Sequence, residues 1–571
     1  MKKIVFFLLL IFSSQAGCTL TDPEVMEMLQ ALQAQNDKLL EEITSMKGQL
    51  TALDGNYQAI LAGLADNKKD LEALKAQVEA LKTQIADQLK KIDQINALLT
   101  QQGADIVKLS AELATVKASL ADLLVKFEQY IKEQNSRVIY EENGTIKCPE
   151  AKVGDKGFVN AKQYEAVDRA LLIKRRDEGA DLTCLCTTLV TDMSNLFAGT
   201  EQNRNKFNQP IGNWDLSNVT NTSRMFFESE FNQSISNWDV GKVTNMTSMF
   251  QLSAFNKPIG NWNVSSVTTM NKMFYGDYTF DQPIGNWNVS KVTDMTLMFL
   301  RTPFNQDISK WDVSSVVSFL DMFWDNSKFN QPIGVWKVSS GKNFAGMFWG
   351  ATNFNQPLGN WDVSNAEDMS HMFSGIYDDE TFGRKNTFNQ DLSKWNVTKV
   401  KSMRGMFNNS MFNQPLKDWN VSSVNFMEGM FKRSPFNQPI GNWVVSNVKN
   451  MNSMFQLNTF NQVLENWDVS NVTDMGGMFD GNLVFNQSLV KWNVGKVTNM
   501  QAMFKLTAFN QPISNWNVRN VTNMNYMFEG SKFNQNISAW CVSQFTAEPT
   551  SFSNNGQLQT GNKPKWGTCP N

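Results

Sequence analysis

The chain has 571 residues, with 52 Lys and Arg against 55 Asp and Glu and a formal net charge of −3. That length exceeds what one compact core serves, and the balanced charge supplies no basic field for nucleic acid. A single histidine, His371, weighs against a His-based metal site and against Ser-His or Cys-His catalysis.

Met1-Lys2-Lys3 followed by the apolar run from Ile4 to Phe12 reads as a targeting segment, too short to span a bilayer. Ala16-Gly17-Cys18 resembles a bacterial lipobox, which makes 1–17 a signal peptide, Cys18 the lipidated residue and 18–23 a short linker. Gln15 departs from the usual Leu, and Ser14-Gln15-Ala16 also fits ordinary signal cleavage. Both routes lead out of the cytoplasm, where disulfides form. The expected location is the cell envelope, as a surface-exposed outer-membrane lipoprotein.

Residues 24–134 carry an apolar heptad repeat, with position a running from Leu29 to Phe127 and position d from Leu32 to Leu123. Its phase does not slip, so the segment is expected to be a coiled-coil stalk that pairs as a parallel homo-oligomer, dimer or trimer. A helical hairpin near Asp66-Asn67-Lys68-Lys69 is the alternative.

Residues 135–185 change character. Gly144, Gly154 and Gly157 punctuate short strand-like runs, and Asp168 is a good N-cap for a helix carrying Leu171, Leu172 and Ile173. Lys174-Arg175-Arg176 reads as its solvated end. The segment is an N-terminal cap, needed because an open repeat array exposes core and edges.

From 186 to 545 one unit recurs. Its first full copy is Phe207-Asn208-Gln209-Pro210-Ile211-Gly212-Asn213-Trp214-Asp215-Leu216-Ser217-Asn218-Val219-Thr220. The motif Trp stands at 214, 238, 262, 287, 311, 336, 361, 395, 419, 443, 467, 492, 516 and 540, at intervals of 24 or 25 except for 34 after Trp361. A Phe precedes every one by seven residues, and another follows the first thirteen by twelve. Such periodicity requires stacked units that bury their apolar faces against one another. Alternation around each Trp predicts a short inward-facing strand, and the following Val, Met and Phe predict a short helical turn. An Asn or Gln at one level in every coil is able to bond its copies. Residues 546–571 form a C-terminal cap.

Beyond Cys18, five cysteines flank the array. Cys541 with Cys569 is the obvious bridge, and Cys148 has Cys184 or Cys186 to choose from.

The unit F-N-Q-x-I-x-x-W-D-V-S-x-V-T-x-M-x-x-M-F resembles the BspA-like leucine-rich-repeat surface proteins of Bacteroidota and mycoplasmas. Gly144-Thr145-Ile146-Lys147-Cys148-Pro149 looks like that family's N-terminal cap, and Trp540-Cys541-Val542 with Lys563 to Pro570 like its C-terminal cap. The resemblance implies a Cys148–Cys186 pair with Cys184 spare, and implies adhesion to host or bacterial surface proteins. The expected fold class is thus a leucine-rich-repeat-like solenoid, a parallel β-sheet with short helical turns, preceded by a long α-helical coiled coil.

Three breaks in the repetition are candidate binding features. The insertion from Ser374 to Thr387 carries Tyr377, Asp378, Asp379, Glu380 and Arg384, either a surface loop, a partner contact or a weak acidic metal site. The slot just after Met-Phe holds Phe227, Tyr275, Trp324 and Trp349 in the first half of the array and polar residues afterwards, which predicts an apolar ridge. The polar positions flanking each Trp, such as Asn213, Asp215 and Asn263, form a third candidate face, most simply structural. No nucleophile-base set, phosphate loop or metal constellation appears, so no enzyme, cofactor or resident metal is expected. The expected function is a surface adhesin that binds proteins or glycans. The alternatives are a non-binding envelope spacer and a surface glycan-binding protein.

Overall fold

The computed structural model describes residues 79–91, 93, 111, 114–126, 139–160, 162–376 and 383–570. Cys18 and the insertion residues Tyr377, Asp378, Asp379 and Glu380 lie outside them.

In the repeats, the peptide groups of successive coils bond head to tail. Thr222, Arg224, Phe226 and Glu228 donate their N–H groups to the carbonyls of Asn245, Thr247, Met249 and Gln251 in the next coil, at 2.9–3.0 Å. The intervening Met225 and Phe227 donate back three residues, to Thr222 and Arg224. Arg224 and Glu228 hold positive φ, 55° and 50°, and the equivalent positions repeat this in nearly every coil. Alternating hand turns each second peptide toward the next coil. It also prevents an extended strand, so pairing narrows to one residue per coil: Asn221 to Asn245, Asn245 to Thr269, and so on to Asn523. On the adjoining edge the direction reverses, with Thr244 N–H donating back to the Thr220 carbonyl at 2.8 Å.

The expected fold class is therefore corrected. Among the described repeat residues there is no continuous parallel sheet and no α-helical turn; the one regular helical piece is a single 3-10 turn, Ile333–Val335. The leucine-rich-repeat assignment does not stand on this backbone. The long coiled coil is also overturned. Helix is present at 79–91 and 114–126, yet Lys117 Nζ lies 2.5 Å from Asp93 Oδ1. Twenty-four residues of straight helix would separate them by about 36 Å, so one unbroken rod cannot hold both. Gln102 on the seam and Gly103 beside it are the weak points of that heptad pattern. An unbroken seam, on which the parallel homo-oligomer rests, is absent among these residues.

Side chains account for the rigid period. Every motif Trp is at most 4% exposed, and its indole N–H donates to a carbonyl one coil back: Trp238 to Ile211 at 3.0 Å, Trp311 to Ile284 at 3.1 Å, Trp540 to Ile513 at 3.0 Å. The rings stack nearly parallel, with 6.4 Å and 1° between Trp287 and Trp311. The two motif Phe columns interleave, Phe226 lying 4.1 Å from Phe231 and 5.6 Å from Phe250. The Asn of each Phe-Asn-Gln forms a second ladder: Asn232 N–H donates to Asn208 Oδ1 at 3.0 Å, and the register continues to Gln559 on Asn534.

A buried polar residue explains how 24- and 25-residue coils share one stack. Ser229, Ser253, Ser410, Ser434 and Ser531 sit two residues before a motif Phe and accept its N–H on their hydroxyls. Where the interval is 25, the slot lies three residues before the Phe and holds Asp277, Asn326 or Asn482. The longer side chain bridges the extra residue: Asn326 Oδ1 accepts from Lys328 and Phe329, and Asn482 Oδ1 from Val484 and Phe485. The fourth such coil has Ala351, and Phe354 bonds its carbonyl instead. Asp277 is buried, and burial pushes its carboxyl up to about 6 against three hydrogen-bonding neighbours, Thr279, Ser253 and Phe280.

The N-terminal cap begins with the hairpin β1 (Tyr140–Glu142) and β2 (Thr145–Lys147), joined by Asn143-Gly144 with both residues at positive φ. β3 (Lys156–Val159), β4 (Lys162–Ala166) and β5 (Leu185–Cys186) make a small sheet in that order, β4 parallel to β5. Helix α1 (Arg169–Asp177) starts where Asp168 accepts from Leu171 N–H at 2.8 Å. Its basic end is not simply solvated: Arg175 grips Glu165 at 2.7 and 2.8 Å, and Arg176 donates to the Leu196 carbonyl. Cys148 bonds to Cys186, leaving Cys184 as the free thiol, and Cys541 bonds to Cys569. At the far end Phe552 meets Phe528 edge-on at 87°, which ends the parallel Phe stack.

Candidate functional site

The wall built from the alternating-hand segment carries the candidate residues. Ten, thirteen and fourteen residues past each Trp, side chains leave the backbone on this wall, and the slot after Met-Phe is its middle row. The row is not a uniformly exposed ridge. Phe227 is buried, with the Arg224 guanidinium 3.7 Å over its ring, and Leu300 is buried as well. Tyr275, Trp324 and Trp349 are half-buried.

Trp324 and Trp349 stack at 4.6 Å and 4°, and His371 stacks on the far side of Trp349 at 5.0 Å. Arg301 lies 6.0 Å over Trp324. The ring faces are thus flanked on both sides, and each ring stays part-exposed. Trp349 is further held by its indole N–H on the Gly375 carbonyl, at 3.1 Å. Asp325 pairs with Arg301 at 3.4 Å and with Arg384 at 2.7 Å. Arg384 and Ile376 close the base of the insertion through an antiparallel bridge, so the insertion starts and ends on this wall.

Two titratable groups beside the rings lack ordinary partners. The Asp321 carboxylate lies over Gly346, where a Cβ would collide with its Oδ1. Burial pushes Asp321 up to about 6, with no hydrogen bond or neighbouring cation to oppose it. His371 is held low by burial and by Arg404, against a smaller pull from Asp368, and its Nδ1 is buried without a partner. Gly405 leaves room for that ring.

Further along, the same row becomes polar. Gln456 donates to Asp480 at 2.7 Å, and Lys505 pairs with Glu529 at 2.8 Å. Burial lowers Lys432 and raises Asp480. The third candidate face proves to be turn chemistry. Asp215, Asn263 and Asp312 each accept the N–H two residues on, at 3.0, 3.2 and 3.1 Å. The Ser hydroxyls and N–H groups opposite hold Asp312, Asp362 and Asp468 below the usual carboxylate range. Asn213 instead reaches into the N-terminal cap, donating to the Thr183 carbonyl at 3.0 Å.

Sequence reasoning found Trp324, Trp349 and Arg384 but missed Asp321 and the closing of the ring faces. The available signal was position: Asp321 and His371 each precede a coil with glycine in the same slot, Gly346 and Gly405. Among the described residues no group of three or more His, Cys, Asp or Glu could hold a metal ion, and no helix is long and apolar enough to cross a membrane.

Four tandem segments, 191–303, 277–380, 378–463 and 456–566, match the family described as Mycoplasma protein of unknown function, DUF285. Together they cover about two thirds of the chain. It belongs to this family. The DUF285 segments take in the stacked coils and the whole candidate wall. No curated protein and no solved structure matches the chain.

Proposed function

We propose that this DUF285 protein is a binding protein of the cell surface, anchored through Cys18 and contacting other proteins through the wall of Tyr275, Trp324 and Trp349. The observation that carries this reading is the contrast between two tryptophan populations. The fourteen motif Trp are buried and spent on the stack, whereas Trp324 and Trp349 are half-exposed, outside the repeated motif, and held rigid by stacking and a hydrogen bond. Preorganised aromatic side chains are the usual anchors of protein interfaces. The likeness of the unit to BspA-like surface proteins, the lipobox-like Ala16-Gly17-Cys18 and the extracytoplasmic cysteine pattern support an outer-membrane lipoprotein. A glycan platform is less well supported, because sugars stack on ring faces and these faces are covered.

Protease treatment of intact cells carrying wild type or Cys18→Ala tests the location. Cleavage of the repeats in wild type that disappears with the anchor is the expected result; protection in wild type, with cleavage after lysis, would overturn it. Attachment of cells carrying Trp324→Ala or Trp349→Ala to a protein-coated surface tests the wall, and unchanged attachment would remove it as the contact site.

A further inference from the structure

Asp321 is the anomaly of the wall. Each other partly buried carboxylate described here has a donor: Asp277 has Ser253 and Thr279, Asp325 has two arginines, Asp480 has Gln456, and Glu428 has Arg404. Asp321 alone among them has neither hydrogen bond nor ion pair. It is nonetheless tied through the backbone to the two half-buried tryptophans. Trp324 N–H bonds the Asp321 carbonyl at 3.1 Å, and the carboxylate rests on Gly346, whose carbonyl accepts from Trp349 N–H at 2.9 Å.

A partly buried, unpaired carboxylate is costly by itself and favourable once a cation reaches it. Among the described residues no cation pairs with it: Arg301 and Arg384 are committed to Asp325, and burial, with Arg404, disfavours the charged form of His371. The wall already seats cations beside rings, with Arg224 on Phe227 and Lys505 on Tyr526. Resting on the reading of this wall as a protein-contact face, we propose that Asp321, Trp324 and Trp349 form a receptor for a lysine or arginine side chain of a polypeptide partner. The carboxylate takes the charged head, and the ring edges pack the apolar stem, as such amphipathic side chains require.

The test uses the full chain and two acetylated nonapeptides, one of alternating Lys and Gly and one of alternating Glu and Gly, titrated calorimetrically at physiological salt. The Lys peptide binds and the Glu peptide does not. Asp321→Asn weakens the Lys peptide about tenfold or more, as does Trp349→Ala, whereas Asp480→Asn, elsewhere on the same wall, leaves it unchanged. Equal binding of both peptides, or Lys-peptide binding indifferent to Asp321→Asn, overturns the assignment. Attachment of cells that depends on Trp324 and Trp349 while the Lys peptide fails to bind also overturns it, and leaves the wall standing as a contact face for other chemistry.

Discussion

The guanidinium of Arg169 donates to the main-chain carbonyl of Ser194 at 2.7 Å, and to that of Asp192 at 2.6 Å. These carbonyls belong to the half-coil that opens the array. In every later coil the equivalent carbonyl accepts an N–H from the coil before. The aligned peptides of this wall therefore run through the stack with their N–H ends toward the C-terminus and their carbonyl ends toward the N-terminus, the reverse of their sense in an α-helix. At the far end Tyr526, Phe528 and Gly530 donate to Thr550, Phe552 and Asn554 of the C-terminal cap. At the near end there is no backbone to donate, and Arg169 with Arg176 on Leu196 replaces it.

Arg169→Ala should accordingly destabilise the first coils by about 1–3 kcal/mol, the cost of leaving partly buried carbonyls unpaired. Hydrogen exchange should quicken at Met193 to Gly199 and little beyond Trp311. Arg169→Lys should recover only part of the loss, since an ammonium does not present the fork that spans two carbonyls. Uniform protection along the array in Arg169→Ala would show that the dipole end needs no cation.

A central motif tryptophan does more than fill volume. Trp311→Ala removes a stacked ring and the indole bond to Ile284 together, and should cost about 3–5 kcal/mol. Trp311→Phe should cost less while still losing the hydrogen bond. Denaturant unfolding followed in both variants checks the order.

The slot ahead of each motif Phe makes a sharper prediction. Asn482→Ala should destabilise by about 1–3 kcal/mol, because the buried Phe485 N–H and the part-buried Val484 N–H lose their acceptor. Asn482→Ser should not rescue it, since a hydroxyl suited to the two-residue spacing falls short over three. Equal midpoints for the Ser and Asn chains in a chemical melt would defeat this account of the 25-residue coils.

Asp321 sets a pH dependence of defined sign. Its folded carboxyl is raised to about 6, above its ordinary value. Near pH 3 and below, both folded and unfolded forms are largely neutral and the group costs little. Stability then falls as pH rises from about 4 toward 6, and stays lower above it. Asp321→Asn should thus raise stability by about 1 kcal/mol at pH 8, a figure reduced for the group's partial exposure, and change little near pH 3. Melting temperatures of the two proteins across that range are the measurement.

Residue type at fixed spacing carried the period, the inward tryptophans and phenylalanines, and the Asp168 cap, while the spacing left Cys148 open between Cys184 and Cys186. The inward aromatics are a matter of which side chain must leave water, and that is written locally into each copy. The backbone was not legible in the same way. Alternation around Trp214 and the spacing of Val219, Met225 and Phe226 fit a strand and a helical turn, but the stack adopts neither. The hand of Arg224 and Glu228 is chosen by hydrogen bonds to a coil 24 residues away, which no local pattern records. The same holds for the unbroken heptad phase, set against an ion pair between Asp93 and Lys117. It holds again for Trp324 and Trp349, whose aromatic character is plain in the sequence. Only the packed neighbours Arg301 and His371 decide that their faces are flanked, and only the packing shows the Asp321 carboxylate without a partner.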